Sequence, residues 1–480
     1  MLFNSLAFLI FILAFFAGWR FVRNHNESRW IYLVAFSFFF YGWWDWRFVA
    51  LLLMSGGIDY LAGLAIVRWP RHKAAFLAIS MSGNVGSLLL FKYLDFFLSN
   101  INWTLTAMGC ADQIPLARLI LPIGISFYTF QSMSYTIDVY RGHLQPTRNV
   151  LHFFAFISIF PHLVAGPINR AVDLLPQLAR YVKPTEQVRW DGLKLIAAGY
   201  FKKMVIADNL APVVNAAFSS AAPVHDTLYW WIVMTMFAFQ IYGDFSGYTD
   251  IARGLGKWIG YEFMVNFNHP YVSASAREFW TRWHISLSSW FRDYVYIPLG
   301  GSRKGVWHGH RNLWITMLIS GLWHGANWAY VVWAALHSFY MSLERLTRWP
   351  ERVLRLRGGR HLATAMVFVL VLIAWVFFRA AGEDHLGFGR RSLTLAAGIL
   401  ANMFTLHHAQ HAMHLLNQNA WTVLGLALAA EMIVHLRLKA PSLWIPRLSP
   451  AVAEVVFVAV LLTASIFLRG PGKAFIYFKF

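Results

Sequence analysis

Charged residues are scarce in this 480-residue chain, and cysteine is almost absent. Charged side chains make up 13% of the chain, against about 25% in soluble domains, which excludes an ordinary soluble protein. The single cysteine, Cys110, excludes an intramolecular disulfide and a cysteine-based metal cluster. The chain also lacks H-E-x-x-H, G-x-S-x-G, Walker A and H-x-x-x-x-D motifs. The sequence therefore offers none of these common signatures of soluble enzymes.

Hydrophobic residues, by contrast, make up 58% of the chain. Several runs reach the roughly 20 apolar residues that a helix needs to cross a bilayer. The sequence predicts an all-α polytopic membrane protein, with residues 1–480 forming one integral-membrane domain. The predicted spanning helices are 2–19, 30–45, 48–67, 75–96, 118–138, 190–213, 228–251, 362–380, 418–436 and 451–468.

The net charge of +19 is spread along the chain. Basic residues follow alternate apolar runs, at Arg20, Arg23, Arg29, then Arg68, Arg71, Lys73, then Arg141 and Arg148. By the positive-inside rule, these loops are cytoplasmic and the N-terminus is periplasmic. The dispersal argues against a nucleic-acid-binding patch.

His324 lies in a run, 313–330, that has no charged side chain. An ionisable group at membrane depth predicts a functional site; the alternative is a buried histidine bonded to a nearby carbonyl. A helix rising from Arg311 climbs about 20 Å before it reaches His324, past the middle of the bilayer. Both flanks of 313–344 are basic, so the chain is expected to turn back near 325–327. The small residues around His324 allow close backbone approach: Ser320, Gly321, Gly325 and Ala326.

Two other regions do not resemble simple spans. Segment 153–168 is apolar but is interrupted by Pro161, Gly166 and Pro167, which predicts a re-entrant segment. Segment 253–312 mixes tryptophans with charges, which predicts amphipathic helices at the cytoplasmic interface.

Several polar side chains near the interfacial segment exceed what anchoring requires: His284, Arg282, Arg292 and Asp293. Upstream, Asp244 and Asp250 lie towards the end of an apolar helix. Carboxylates in that position are expected to be paired or to face a polar cavity. His407, His411 and His414 share a helical face, as metal ligands do, but the run has no carboxylate, and we predict no metal site.

Five motifs together resemble the membrane-bound O-acyltransferase family, in its bacterial polysaccharide acetyltransferase branch. They are D-F-S-G-Y-T-D-I-A at 244–252, F-W-T-R-W-H at 279–284, W-F-R-D-Y-V-Y-I-P-L-G-G at 290–301, G-L-W-H-G-A-N at 321–327 and W-V-F-F-R at 375–379, with F-I-Y-F-K-F at 475–480 also similar. The resemblance covers essentially the whole chain.

The resemblance implies a fold, an activity and a set of site residues. The implied fold is a ring of about ten or more transmembrane helices, with re-entrant and interfacial helices, around a central funnel. His324 matches the family's catalytic histidine and His284 a supporting one, although the wider family often carries Asn or Asp at that second position. An acyl group passes from a cytoplasmic thioester, acetyl-CoA or another, to a hydroxyl. No bound cofactor is implied. In the bacterial inner membrane, this branch hands the acetyl group to a periplasmic partner, commonly an SGNH-type transferase.

Elementary chemistry agrees with that activity. A neutral imidazole in a dry site is a general base for the acceptor hydroxyl. The indoles of Trp323 or Trp328, or the amide of Asn327, are candidate oxyanion donors.

Charged side chains at the cytoplasmic mouth complete the candidate binding set. Arg282, Arg292, Arg303 and Lys304 suit the donor's phosphates, with membrane anchoring as their alternative role. Asp293 and Asp244 are the remaining candidates for contacts with donor or substrate.

The polymer is left open by the sequence. An alginate-like exopolysaccharide is the first expectation, with peptidoglycan, cellulose or another envelope polymer as alternatives. A transporter or flippase would also explain intramembrane charges, as would a non-catalytic scaffold of an export complex. Replacing His324 separates these readings, because only an acyltransferase depends on it.

Overall fold

The computed structural model describes residues 1–110, 112–164, 166–219, 223–383, 389–406, 410–416, 424–425 and 450–472. Within these ranges the chain forms helices and no strand, which confirms the predicted all-α class. The C-terminal motif at 475–480, His407 and nearly all of the predicted span 418–436 lie outside the described residues.

The described chain divides into two compact units, the first made of Met1–Ala197 and Tyr248–Val265. Its helices are α1 (Leu6–Val22), α2 (Asn26–Gly42), α3 (Arg47–Arg68), α4 (Lys73–Leu88), α5 (Leu94–Ala107), α6 (Ile125–Arg141), α7 (Val150–Ser158), α8 (Phe160–Leu163), α9 (Ala171–Ala179) and most of α10 (Glu186–Tyr200). A 3₁₀ turn at Pro70–His72 precedes α4, and a π-helical turn at Leu89–Tyr93 joins α4 to α5.

The second unit comprises Ala198–Gly247 and Asn266–Phe480. Its helices are α11 (Asp208–Ser219), the first part of α12 (Thr227–Ile259), α13 (Ala276–Arg282), α14 (Ile285–Phe291), α15 (Val306–His324), α16 (Trp328–Thr347), α17 (Trp349–Leu354), α18 (Gly359–Ala381), α19 (Arg390–Phe404), α20 (Gln410–Leu416) and α21 (Pro450–Phe467). π-Helical turns occur at Phe201–Ala207 and Arg292–Tyr296, and a 3₁₀ turn at Pro270–Val272.

Three described helical stretches are long and apolar enough to cross a membrane: Arg47–Arg68, Pro70–Ala107 and Gly359–Ala381. They coincide with the predicted spans 48–67, 75–96 and 362–380. The predicted spans 2–19 and 451–468 correspond to apolar helices that are shorter.

The other predicted spans differ from the observed helices in their ends. The helix predicted over 118–138 begins only at Ile125, because Gly124 (φ +78°) precedes it in a left-handed conformation. The span predicted over 190–213 is interrupted by the π-helical turn, since α10 ends at Tyr200 and α11 begins at Asp208. The predicted helix 228–251 extends to Ile259, well beyond its expected end.

The interruption predicted within 153–168 is present. α7 ends at Ser158 because Ile159 has non-helical angles (φ −48°, ψ 116°), and the short α8 contains Pro161. An added Cβ at Gly124 would lie 2.9 Å from the carbonyl oxygen of Leu163. This segment of the first unit therefore packs directly against the backbone that precedes α6.

The predicted hairpin at His324 is also present. α15 ends at His324, and α16 begins at Trp328 after a turn at 325–327. A Cβ at Gly321 would lie 2.6 Å from the backbone oxygen of Tyr330. The missing side chain lets the two arms approach each other, as the small residues around His324 led us to expect.

Candidate active site

His324, the last residue of α15, is buried, with 3% of its surface exposed. Its imidazole is surrounded by aromatic rings: the ring centroids lie 5.0 Å from Trp323, 5.0 Å from Trp333 and 5.3 Å from Phe378. These walls exclude bulk water.

Trp323 lies between the two predicted histidines. Its ring centroid is 5.0 Å from that of His324 and 6.0 Å from that of His284. The structure therefore brings together three predicted site residues from α15 and the α13–α14 junction. Trp323 itself is buried.

The main chain holds His284 in an unusual conformation. Its φ of +43° lies in the left-handed region, which costs a residue with a side chain roughly 1–2 kcal/mol. The Oδ1 of Asn266 accepts from the backbone N–H of Ser286 at 3.2 Å and bonds to His284 Nδ1 at 3.1 Å. Because that oxygen is an acceptor, Nδ1 carries the proton, and Nε2 keeps its lone pair.

His284 lies outside the predicted spanning segments and is fully buried. Burial lowers the pKa of His284 to about 3. The side chain is therefore uncharged at physiological pH. A neutral imidazole can accept a hydrogen bond in a supporting role, whereas a cationic imidazole cannot.

Asn327, the predicted oxyanion donor, has a capping role in the structure. Its Oδ1 accepts from the backbone N–H of Ala329 at 2.8 Å, which caps the first turn of α16. Its Nδ2 donates to Ser392 Oγ at 3.2 Å and lies 3.5 Å from the carbonyl oxygen of Ala381. These contacts tie the hairpin turn to α18 and α19.

Two of the predicted arginines, Arg282 and Arg292, form ion pairs. Arg282 Nη2 lies 2.9 Å from Glu278 Oε1, and its Nη1 donates to the backbone oxygen of Asn268 at 3.1 Å. Arg292 Nε donates to Asp293 Oδ1 at 2.7 Å, and the Arg292 side chain is 62% exposed. The hydrogen bond that Arg292 donates to the Asp293 carboxylate raises the pKa of Arg292. Both arginines are thus held by carboxylates that the sequence places close to them.

Asp244 is paired, as its apolar setting predicted. Its Oδ1 lies 2.6 Å from Nζ of the buried Lys203, which also contacts Asp208 Oδ1 at 2.9 Å. Lys203 comes from the π-helical turn Phe201–Ala207, so the ion pairs join α12 to that turn and to α11. These ion pairs therefore stabilise the packing within the second unit.

The sequence interpretation missed His337, a fully buried histidine on α16. Its ring centroid lies 5.1 Å from that of Trp333, which in turn contacts His324. The signal was available, since the run 328–343 has no charged side chain, as does the run around His324.

Comparisons with known proteins agree on one family. The family model described as MBOAT, membrane-bound O-acyltransferase family, matches residues 80–382. The chain is 39% identical to the probable alginate O-acetylase of Pseudomonas putida, over 91% of this chain and 86% of the relative. It is 40% identical to the probable alginate O-acetylase of Azotobacter vinelandii, over 80% and 76%. It is 33% identical to the peptidoglycan O-acetyltransferase of Helicobacter pylori, over 79% and 77%.

Proposed function

This chain belongs to the membrane-bound O-acyltransferase family, and from that premise we propose that it takes an acetyl group from a cytoplasmic thioester for O-acetylation of an exopolysaccharide. It is a membrane enzyme and an acyltransferase. The alginate O-acetylases at 39% and 40% identity favour an alginate-like polymer. The donor is acetyl-CoA or another acyl thioester, and it acts as a substrate, not a resident cofactor.

The observation that carries this proposal is the setting of His324. It lies at a hairpin apex, walled by Trp323, Trp333 and Phe378, in the run 313–330 that has no charged side chain. A dry apolar site keeps an imidazole neutral before reaction. General base catalysis of this kind typically contributes about 10²–10⁴-fold to the rate.

The acyl-transfer step follows from that base. His324 removes the proton of the acceptor hydroxyl, and the hydroxyl oxygen bonds to the thioester carbonyl carbon. The C–S bond then breaks with its electron pair on sulfur, and the thiolate takes the proton from the imidazolium. We assign the stabilisation of the developing oxyanion to the indole N–H of Trp323. Asn327 is set aside for this role, because its amide is used in capping.

His324→Gln tests the assignment, because glutamine keeps a polar side chain of similar reach but is not a base. We expect polymer O-acetyl content to fall at least about 100-fold, the smaller contribution expected of a general base. His152→Gln is the matched control, a change at a buried histidine whose two ring nitrogens bond within the first unit. Near-normal acetylation by His324→Gln, at equal membrane abundance, would contradict the catalytic role of His324 and favour a scaffold or transporter.

Peptidoglycan is the second candidate polymer, favoured by the 33% identical relative from Helicobacter pylori. Deleting the gene and measuring ester-linked acetate on both polymers separates the two. Loss from the exopolysaccharide alone supports the first proposal, and loss from muropeptides alone supports the second.

The finer architecture is also proposed: a ring of about ten or more helices around a funnel, in the bacterial inner membrane, with the N-terminus periplasmic. Cys110 is exposed and provides a native probe near Gln113. An impermeant thiol reagent is expected to label Cys110 in intact cells. In a Cys110→Ala background, cysteines at Ser302 or Gly358 should react only after the membrane is opened. Labelling of Ser302 in intact cells would overturn the topology.

A periplasmic partner, an SGNH-type acetyltransferase or another acceptor protein, completes the reaction. The rise from Arg311 to His324 leaves about a third of the bilayer above the histidine. We therefore expect purified protein with acetyl-CoA and soluble polymer to transfer little acetyl until that partner is added. Efficient transfer by this chain alone would refute the relay.

A further inference from the structure

Asn266 is fully buried in the second unit, and its side-chain oxygen takes part in three hydrogen bonds. That oxygen accepts from the backbone N–H of Ser286 at 3.2 Å and from the Ser286 hydroxyl at 2.9 Å, and it bonds to Nδ1 of His284 at 3.1 Å. Because a backbone N–H is always a donor, it identifies the atom that faces it as the oxygen of the Asn266 amide and not the nitrogen. Nδ1 of His284 is therefore the donor of the third bond.

Main-chain hydrogen bonds hold Asn266 and His284 in register. The backbone oxygen of Asn266 accepts from the N–H of Ile285 at 2.9 Å, and the N–H of Asn268 donates to the backbone oxygen of Arg282 at 2.9 Å. The two chain segments thus pair on either side of His284, whose φ of +43° lies in the left-handed region. This pairing keeps the imidazole next to the Asn266 oxygen.

Aromatic rings pack around the imidazole of His284. Its ring centroid lies 4.7 Å from that of Phe245 on α12 and 6.0 Å from that of Trp323 on α15. Neither ring carries a charge, and burial lowers the pKa of His284 to about 3. The Trp323 ring in turn lies 5.0 Å from that of His324. His284 is therefore a neutral imidazole separated from the candidate base by a single ring.

An amide at position 266 differs from a carboxylate in one decisive way. Nδ2 of Asn266 is buried and has no hydrogen-bond partner among the described residues, although buried donors are normally paired. An aspartate would offer an oxygen to the same three donors and would leave no N–H unmet. Its negative charge, however, would lie beside Nδ1 and favour a protonated, cationic imidazole. The amide leaves one N–H unmet but keeps His284 neutral.

We propose that Asn266 is a positioning residue for acyl transfer: its side-chain oxygen fixes His284 as the neutral tautomer protonated on Nδ1, which leaves Nε2 as a hydrogen-bond acceptor beside Trp323 and the candidate base. This inference rests on the proposed function. A neighbour that holds an imidazole in the working tautomer supports catalysis without touching the substrate. An Asn266 with a purely structural role would need only to hold the two paired segments together.

Two substitutions separate the positioning role from a structural one. Asn266→Leu has a similar shape and removes the acceptor. Asn266→Asp keeps an oxygen for all three donors, so it should preserve the fold, but its charge should make His284 cationic. If the oxygen were only structural, Asn266→Asp would acetylate normally. The positioning role requires that both variants lose acetylation.

Polymer acetylation in cells, at equal membrane abundance, is the first readout. We expect both variants to lose at least about tenfold, the smaller loss seen when the hydrogen-bond partner of a metal-binding imidazole is removed. Asn402→Leu is the matched control, because Asn402 is also buried and its Oδ1 bonds to Nδ1 of His225 at 3.0 Å, outside the candidate site. It should acetylate near the wild-type level. Normal acetylation by Asn266→Asp would overturn the proposal.

Nitrogen NMR of the wild-type protein, with nitrogen-15 in its histidines, reads the tautomer directly and depends on neither polymer nor variant folding. The signals of His284 are those absent from His284→Asn. We expect a proton on Nδ1 and none on Nε2, unchanged between neutral pH and about pH 5, because burial lowers the pKa of His284 to about 3. In Asn266→Asp, both ring nitrogens should be protonated at neutral pH.

The NMR result also separates this inference from the proposed function. A wild-type ring protonated on Nε2, or a cationic ring at neutral pH, would overturn the role of Asn266 and leave the proposed function standing. Near-normal acetylation by His324→Gln would remove the proposed function, and the positioning role with it, whichever tautomer NMR reports.

Discussion

Two buried polar clusters, one in each unit, treat their hydrogen-bonding groups in opposite ways. In the first unit, Asp59 accepts hydrogen bonds from Ser80 Oγ, from Thr136 Oγ1 at 2.9 Å and from Asn84 Nδ2 at 2.8 Å. In the second unit, His337 and its indole neighbours have no partners within the described chain. The first cluster joins helices through hydrogen bonds, whereas the second is held by contacts between rings.

The presence or absence of hydrogen-bond partners distinguishes structural from functional polar residues better than burial does. Asp59 lies about 18 Å along α3 from its first residue, near the middle of an apolar span, and by depth alone it qualifies as a functional residue. Its donors come from α4 and α6, and Asn84 also accepts from Ser55 Oγ at 2.8 Å. A closed network of this kind accounts for the buried carboxylate without any ligand.

The largest loss of stability should follow from removing Asp59, the acceptor that its hydrogen-bond donors share. Asp59→Leu leaves two hydroxyls and an amide without their acceptor, each at about 1–3 kcal/mol, so the free energy of unfolding should fall by at least about 3 kcal/mol. Asp59→Asn, which keeps an acceptor oxygen, should lose much less. Thermal unfolding of the purified protein in detergent measures both. Equal melting temperatures for Asp59→Leu and wild type would remove the structural role.

His152→Phe should have the next largest effect on stability. The change removes the bonds to Thr147 and to the Leu175 oxygen, while it preserves the stacking on Trp30 at 4.6 Å. We expect a loss of about 2 kcal/mol, since a buried acceptor is left unpaired. The same unfolding assay tests it, and acetyl transfer at low temperature should stay normal.

His284 should make the stability of the folded protein depend on pH. The unfolded chain takes up a proton near pH 6.5, whereas the folded protein does not until about pH 3. His284 therefore lowers the free energy of unfolding as pH falls through this window, by about 1.4 kcal/mol per unit once below pH 6.5. The free energy of unfolding, measured at pH 6.5 and at pH 5.5, should change less with pH in His284→Asn than in wild type. Identical dependence would mean that this histidine is protonated in the folded protein.

The smallest change in stability should come from His337→Phe. Since no bond within the described chain is lost, we expect a change within about 0.5 kcal/mol, or a gain. A loss as large as that of His152→Phe would show that an internal partner satisfies His337, and the contrast between the two clusters would disappear.

Much of the fold was predictable because it depends on local rules. Long apolar runs identified α3 and α18, and Pro161 identified the break after α7. The basic flanks around His324 predicted the hairpin. Helix ends that depend on non-local packing were not predictable. The π-helical turn before α11 places Lys203 between Asp208 and Asp244, and no local sequence pattern indicates that turn.

The candidate site divides in the same way. His324, Trp323 and His284 were predicted and lie together, with the Trp323 ring 5.0 Å from that of His324 and 6.0 Å from that of His284. Asn327 was predicted as an oxyanion donor, but residues distant in sequence, Ser392 and Ala381, engage its amide. His337 was missed although it lies in a run, 328–343, that has no charged side chain, the same signal that identified His324.

A structure of the protein bound to S-acetonyl-coenzyme A, a non-transferable donor analogue in which a methylene group separates sulfur from a ketone, tests the central claim most directly. We expect the ketone oxygen or its carbon within contact distance of His324, next to Trp323. Density for the probe that stays outside the rings around His324, in a protein that still transfers acetyl groups, would contradict both the base and the donor path.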